Sequence, residues 1–351
     1  MVEWAVQIRY PVPLRAGDTI GVTAPSAGVP ADLRGRLEFA VNFLRDKGFV
    51  VVIGDCLDGA GAVSAPKQQR AAELNRMLTD PQIRAIVPPW GGELAIDLLD
   101  LLDYRAIALA EPTWLIGYSD CTTLMVPLTL RTGLATLHGS NLMDTPYRAP
   151  PPLAQWWEVA ATAGGGSISQ GPVGRYRAEG FDRWQDDPTI TELTLDTDGG
   201  WSILEGLAGP ADEVDVTGRL IGGCIETLTP VAGAPFGDVA EFGEQHADDG
   251  LLVYLEAADA GSFDVARALH GFRLHGWFDH ARAVLIGRTR GPGHAALSQH
   301  GAVRDALGML NIPIVVDVDC GHVPPYMPIV NGAMGRLVGA GTRWQLTETF
   351  C

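Results

Sequence analysis

Three side chains of complementary chemistry each close an apolar run: Ser119 ends Trp114-Leu-Ile-Gly-Tyr-Ser, Glu256 ends Leu251-Leu-Val-Tyr-Leu-Glu, and His322 follows Pro313-Ile-Val-Val-Asp-Val-Asp-Cys-Gly. A serine hydroxyl needs a base to become a nucleophile, and an imidazole base needs a carboxylate to fix its tautomer; this chain offers one of each. Taken singly, each has an ordinary alternative: a helix N-cap, a solvated strand-end glutamate, a turn histidine. Together they point to acyl transfer, because all three fall where an open parallel sheet gathers its ligands, at the C-terminal ends of strands. The chain order Ser, Glu, His differs from that of chymotrypsin or subtilisin, but such a constellation is defined by geometry and not by order.

Around Ser119 the pattern is strand, sharp turn, helix, which exposes a hydroxyl beside unpaired helix N-terminal amides. The N–H of Asp120 and one from the Gly91-Gly92 turn, taken as Gly92, are the expected oxyanion donors. Cys121 stands where the last glycine of a GxSxG elbow would be and reads as a buried helix residue, not as a rival nucleophile. His270, His275 and His280 are spaced by five, so a helix fans them around its axis and they make no metal cage. There is no GxxxxGK[ST], and Gly59-Ala-Gly61 lacks a third glycine; neither a metal nor an organic cofactor is expected.

The elements that must carry these residues alternate in βαβ fashion. Strands are expected at Thr19 to Ala24, Phe49 to Ile53, Ala85 to Pro88 and Thr113 to Gly117, with helices at Asp32 to Lys47, Pro66 to Leu78, from the Gly91-Gly92 turn to about Leu102, and from about Cys121. That is a doubly wound, Rossmann-like parallel sheet over residues 1 to 150. Residues 151 to 217, rich in Pro, Gly, Asp, Trp and Thr, read as a connecting and substrate-shaping segment with a β-like piece at Thr191 to Leu195. A smaller α/β domain over 218 to 351 follows, with strands at Leu251 to Leu255, Ala283 to Ile286 and Ile314 to Val318 and helices near Phe263 to Leu274 and His300 to Leu310.

The 351 residues, 46% of them hydrophobic, can bury the cores of two domains. With 25 Lys and Arg against 42 Asp and Glu, the net charge of −17 offers no basic face to DNA or RNA. Five widely spaced cysteines suit a reducing compartment. The first residues lack the apolar core of a secretory signal, and no stretch reaches membrane-span length. A cytoplasmic protein is expected.

Gly17-Asp-Thr-Ile-Gly-Val-Thr-Ala-Pro-Ser, Trp90-Gly-Gly, Gly117-Tyr-Ser-Asp, Gly218-Arg-Leu-Ile-Gly-Gly, Tyr254-Leu-Glu and Gly321-His-Val-Pro together resemble the LD-carboxypeptidase family of serine peptidases over about residues 15 to 340. The resemblance implies a nucleophilic Ser119, an orienting Glu256, a basic His322, two domains and a homodimer. It also implies one of two substrates: the L,D bond of murein tetrapeptides, or the amide of a peptidyl- or aminoacyl-nucleotide antibiotic, as in the microcin C immunity branch. The long middle segment favours the second, since Asp182-Arg-Trp184-Gln-Asp-Asp-Pro and Gly200-Trp201-Ser-Ile-Leu resemble that branch's insertion. Trp184 is then the expected platform for a nucleobase, with Gly91 and Cys224 on the substrate side. Three departures bear on the leaving group: Ala-Ala-Asp-Ala after Glu256, Cys224 where the immunity peptidases often carry Asn, and Glu93-Leu-Ala after the Gly pair.

Overall fold

The structure is a computed structural model and describes residues 7–162, 164–205 and 213–351. The reading of the extreme N-terminus as free of a signal core falls partly on positions 1–6, outside the described residues.

Five strands, β1 (Thr19–Val22), β2 (Val50–Ile53), β3 (Ile83–Ile86), β4 (Trp114–Gly117) and β5 (Thr136–His138), form a parallel sheet in the order β2-β1-β3-β4-β5. This is a doubly wound order with its switch point between β1 and β3. The central strands are nearly continuous apolar runs because helices cover both faces; β2, at the edge, leaves Val50, Val52 and Ile53 exposed. The helix Arg34–Asp46 buries Arg36, Ala40, Val41 and Leu44 along one stripe, as its i, i+4 spacing requires. The helix Thr122–Thr132 is different: it buries nearly every residue, because it is wedged between the two sheets. No amphipathic period could have revealed that position.

The connecting segment carries β6 (Ser167–Gln170), β7 (Arg175–Tyr176), β8 (Thr197–Asp198) and β9 (Ser202–Ile203). β7 and β8 pair only with each other, whereas the expected strand at Thr191 to Leu195 is irregular chain; Arg148 donates to the carbonyl of Thr191 there, in place of a ladder partner. The second sheet is built on β10 (Glu213–Cys224), β11 (Leu251–Glu256), β12 (Ala281–Gly287) and β13 (Ile314–Val318), which are parallel to one another, and with β15 (Met334–Ala340) and β16 (Arg343–Thr349) it runs β6-β16-β15-β10-β11-β12-β13-β9. β14 (Ile329–Asn331) crosses back and pairs antiparallel with β5, and β15 with β16 closes the chain as a hairpin. The β14 crossing ties the two domains by backbone hydrogen bonds. Asn331 adds side-chain ties: its Oδ1 accepts from the Tyr254 hydroxyl at 2.8 Å and from Gly222 N, and its Nδ2 donates to Thr136 Oγ1.

Other elements keep the expected type with shifted ends. The turn after Gly92 gives a 3-10 helix, Ala95–Leu101, in place of an α-helix; Ala95 N is captured by the Asp120 carboxylate at 2.8 Å, which tightens the turn. Among the described residues no helix is long and apolar enough to cross a membrane.

Candidate active site

Strands of both sheets bring chemistry to the seam between them. β4 ends at Gly117, and Ser119 follows with φ +62, a left-handed conformation that costs a side-chain-bearing residue about 1–3 kcal/mol. It is the first residue of a 3-10 turn, Ser119–Cys121, that leads straight into the helix Thr122–Thr132. Its carbonyl is held by Thr122 Oγ1 at 2.7 Å, so the strained residue is fixed by its own downstream turn. Gly91 packs against it: a β-carbon on residue 91 would stand 2.8 Å from Ser119 Cβ, 2.9 Å from its Oγ and 3.0 Å from Asp120 N. The first-turn amide of Asp120 has no intrahelical partner and lies beside that hydroxyl. Gly92 adopts φ +145 and packs on Ser26 and Ala27, which fixes the turn.

The Asp120 side chain serves the scaffold. It is buried and accepts from Ser26 Oγ at 2.5 Å, Ala95 N at 2.8 Å and Thr123 Oγ1 at 3.1 Å. Those bonds pull the loop after β1 and the turn after β3 onto the serine turn. Cys121 is buried, its thiol directed at Trp90 O and Asn141 Oδ1, and burial pushes its pKa far up. A thiol held protonated in that way is no nucleophile.

β11 ends at Glu256, fully buried, and β13 leads to His322 through the turn Asp319 to Gly321. His322 Nδ1 lies 2.7 Å from Glu256 Oε2. Gly321, at φ +93, presses directly on that carboxylate, and any side chain there would displace it. Burial alone would raise the Glu256 pKa; the neighbouring His322 and His138 overcome it and hold it well below the usual carboxylate range. Burial likewise pushes His322 down, but the charge and hydrogen bond of Glu256 win and leave it raised. The carboxylate is therefore an anion at neutral pH, oriented on Nδ1, which leaves Nε2 as the nitrogen available to a proton.

Ser119 and His322 meet through Tyr118. Its ring stands edge-on to His322 with centroids 4.9 Å apart and stacks on Tyr326 at 5.9 Å, while its hydroxyl donates to Asp144. Among the described residues no hydrogen bond joins Ser119 Oγ to His322, so of the three candidates only Glu256 and His322 are bonded to each other. Cys224 closes β10 in register with Glu256; its Sγ, a Glu256 oxygen and a His322 nitrogen all lie within 4.8 Å of one another. The thiol donates to Glu226 Oε2 at 3.3 Å, and Glu226 Oε1 accepts from the amides of Ala258, Asp259 and Ala260. Glu226 thus orders the loop that leaves Glu256.

Trp184 is half-buried in the connecting segment. Its Nε1 donates to the Tyr147 hydroxyl at 2.8 Å, the Arg36 guanidinium covers its ring at 5.0 Å, and it packs with Trp90 on Val29, Leu33 and Met143. The wall containing it therefore reaches the residue before Gly91, although part of its ring is already covered by Arg36. Arg290 follows β12 in the second sheet. Its Nη2 donates to Arg177 O and its guanidinium covers Phe181 at 4.5 Å, yet Nε and Nη1 are buried without partners. Tyr326, Asp259 and Tyr118 act on it electrostatically, and burial lowers its pKa.

Two residues around this seam escape the sequence reading. Arg290 has no motif. His138 has one, an apolar strand ending in His-Gly beside β4, where Gly117 and His138 are register partners.

The chain matches the family models of the LD-carboxypeptidase N-terminal domain over residues 20–139 and C-terminal domain over 217–337. It is 26% identical over 346 residues to the microcin C7 self-immunity protein MccF of Escherichia coli, covering 96% of this chain and 95% of that one. To a putative carboxypeptidase of Vibrio cholerae it is 26% identical over 340 residues (93% and 94% covered), and to a probable murein peptide carboxypeptidase of Bacillus subtilis 25% over 333 residues (93% and 91%). In fold it superposes on MccF in complex with glutamyl sulfamoyl guanosine with a TM-score of 0.80 at 24% identity, covering 97% of this chain and 98% of that one. An MccF-like protein of Streptococcus pneumoniae in complex with AMP gives 0.74 at 19% identity, with 95% and 99% covered. The two sheets, their order and these matches over both halves agree: the protein is a peptidase belonging to the LD-carboxypeptidase family.

Proposed function

We propose that the protein is a metal-independent serine peptidase or amidase in which Ser119 is the nucleophile, His322 the general base and Glu256 its orienter, acting on the amide of a peptidyl- or aminoacyl-nucleotide. The observation that carries the chemistry is the 2.7 Å Glu256–His322 bond beside a serine held at φ +62. His322 Nε2 takes the Ser119 proton as Oγ attacks the carbonyl carbon; the amides of Asp120 and Gly92 receive the oxyanion. The imidazolium then protonates the leaving nitrogen, and water, deprotonated by the same imidazole, releases the acyl group. Ser119 and His322 must close to hydrogen-bond distance for the first step, and such bonds often tighten only when substrate binds.

The leaving-group assignment draws on the wall over the site. Arg290 is half-buried with Nε and Nη1 unpartnered, which suits a phosphate or sulfamate, and Trp184 of the connecting segment offers an aromatic surface. MccF, whose structures hold sulfamoyl nucleosides, and the AMP-bound relative carry the same fold. The segment limits near 150 and 218, the homodimer and the cytoplasmic location belong to this proposal too.

Side-by-side turnover of an aminoacyl sulfamoyl adenosine and a murein tetrapeptide tests it. The nucleotide amide is expected to be cleaved faster, and Ser119→Ala to abolish both reactions. Faster cleavage of the tetrapeptide would move the protein to cell-wall recycling, and a failure of Ser119 to take a fluorophosphonate label would leave only a binding protein.

A further inference from the structure

His138 closes β5, in the first sheet, and points across the seam at Glu256 of the second. It is 1% exposed, and neither of its ring nitrogens has a hydrogen-bond partner; Glu256 Oε1 is equally buried and equally without one. His138 Nε2 and Glu256 Oε1 stand 3.7 Å apart. An imidazole always carries at least one N–H. Leaving that donor and a carboxylate oxygen both unpaired when buried is costly, whereas a movement of under about an ångström pairs them. The rings of Tyr254, 5.4 Å from His138, and Tyr118, at 6.3 Å, flank the imidazole edge-on.

We propose that His138 is a positioning residue: its Nε2–H donates to Glu256 Oε1, so that the carboxylate is gripped by one imidazole from each domain and Oε2 stays aimed at His322. The inference rests on the reading of Glu256 as the orienter of His322. It also gives the seam a function, because the base is correctly held only when the two sheets are docked.

Glutamine and asparagine separate this role from packing. A glutamine amide places its donor where Nε2 stands; an asparagine amide falls one bond short. His138→Gln is expected to react with a fluorophosphonate at nearly the wild-type rate, and His138→Asn to lose roughly 10–100-fold, the usual effect of removing a partner that orients an active-site group, with both variants unfolding at the wild-type temperature. Equal rates for the two folded variants overturn the proposal. A second measurement does not depend on either variant folding: in 15N-histidine spectra of the wild type, His138 is expected to be protonated on Nε2, with that resonance moving in Glu256→Gln. An unprotonated Nε2, or one indifferent to Glu256→Gln, overturns it as well. If wild-type Ser119 never labels, the nucleophile assignment fails, and the spectra judge His138 on their own.

Discussion

Gly91 lies against Ser119 so closely that a single added methyl group would come within 2.9 Å of the serine oxygen. The turn after β3 is thus the floor of the site, and the hydroxyl has its place only because residue 91 has no side chain. Gly91→Ala is expected to leave the fold intact and to lower kcat/KM roughly 100-fold, the scale of a misplacement of about 1 Å. Turnover together with thermal unfolding checks this; an alanine variant with full activity would refute the role of the floor.

Ser119 stores backbone strain that glycine would not. Ser119→Gly and Ser119→Ala should both be inactive, with kcat down by at least about 10⁴-fold. The glycine variant should nevertheless be the more stable of the two, by about 1 kcal/mol. Denaturant unfolding of the pair decides the point, and a more stable alanine variant counts against the strain.

As the proposed base, His322 has to be neutral to accept the serine proton, and Glu256 raises its pKa above the ordinary histidine value. Activity is therefore lost as pH falls through that raised value, so the acid limb of kcat/KM should lie above about 6.5. In Glu256→Gln the Coulomb attraction is gone, and the limb should move to lower pH while kcat drops. A limb that stays where it was would remove Glu256 from the base.

Glu348 is wholly buried at the seam, where it accepts from Val330 N at 2.7 Å and from Gln170 Nε2, and burial pushes its pKa up to about 8. The folded state therefore holds a proton that the unfolded chain releases near pH 4.5. The stability this contributes is complete below about 4.5 and is lost as pH rises through about 8. Thermal unfolding between pH 5 and 9 should show a midpoint that falls with pH, and a flatter profile in Glu348→Gln; parallel profiles would mean the carboxyl is already ionised.

Much of the site was legible before folding, because an apolar strand that stops at a polar residue announces a sheet edge. Ser119, Glu256 and His322 each follow such a run, Ser119 after β4 of the first sheet and the other two at or after β11 and β13 of the second. His138 obeys the same rule on a three-residue strand, too short to stand out from the apolar stretch around it. Arg290 sits in a Gly- and Arg-rich loop with no period or motif, and only packing under Phe181 and beside Tyr326 gives it a place.

The sequence by itself determined which groups could react and which end of each strand would hold them, since alternating apolar runs and turns are local properties of the chain. Tertiary structure alone decided the rest. It made the 2.7 Å bond between residues 66 positions apart, set His138 against the far side of the same carboxylate, and sent β14 back to pair with β5. Those outcomes depend on how two sheets dock around the buried helix Thr122–Thr132, and docking is fixed by the summed fit of many side chains, which no short stretch of sequence encodes.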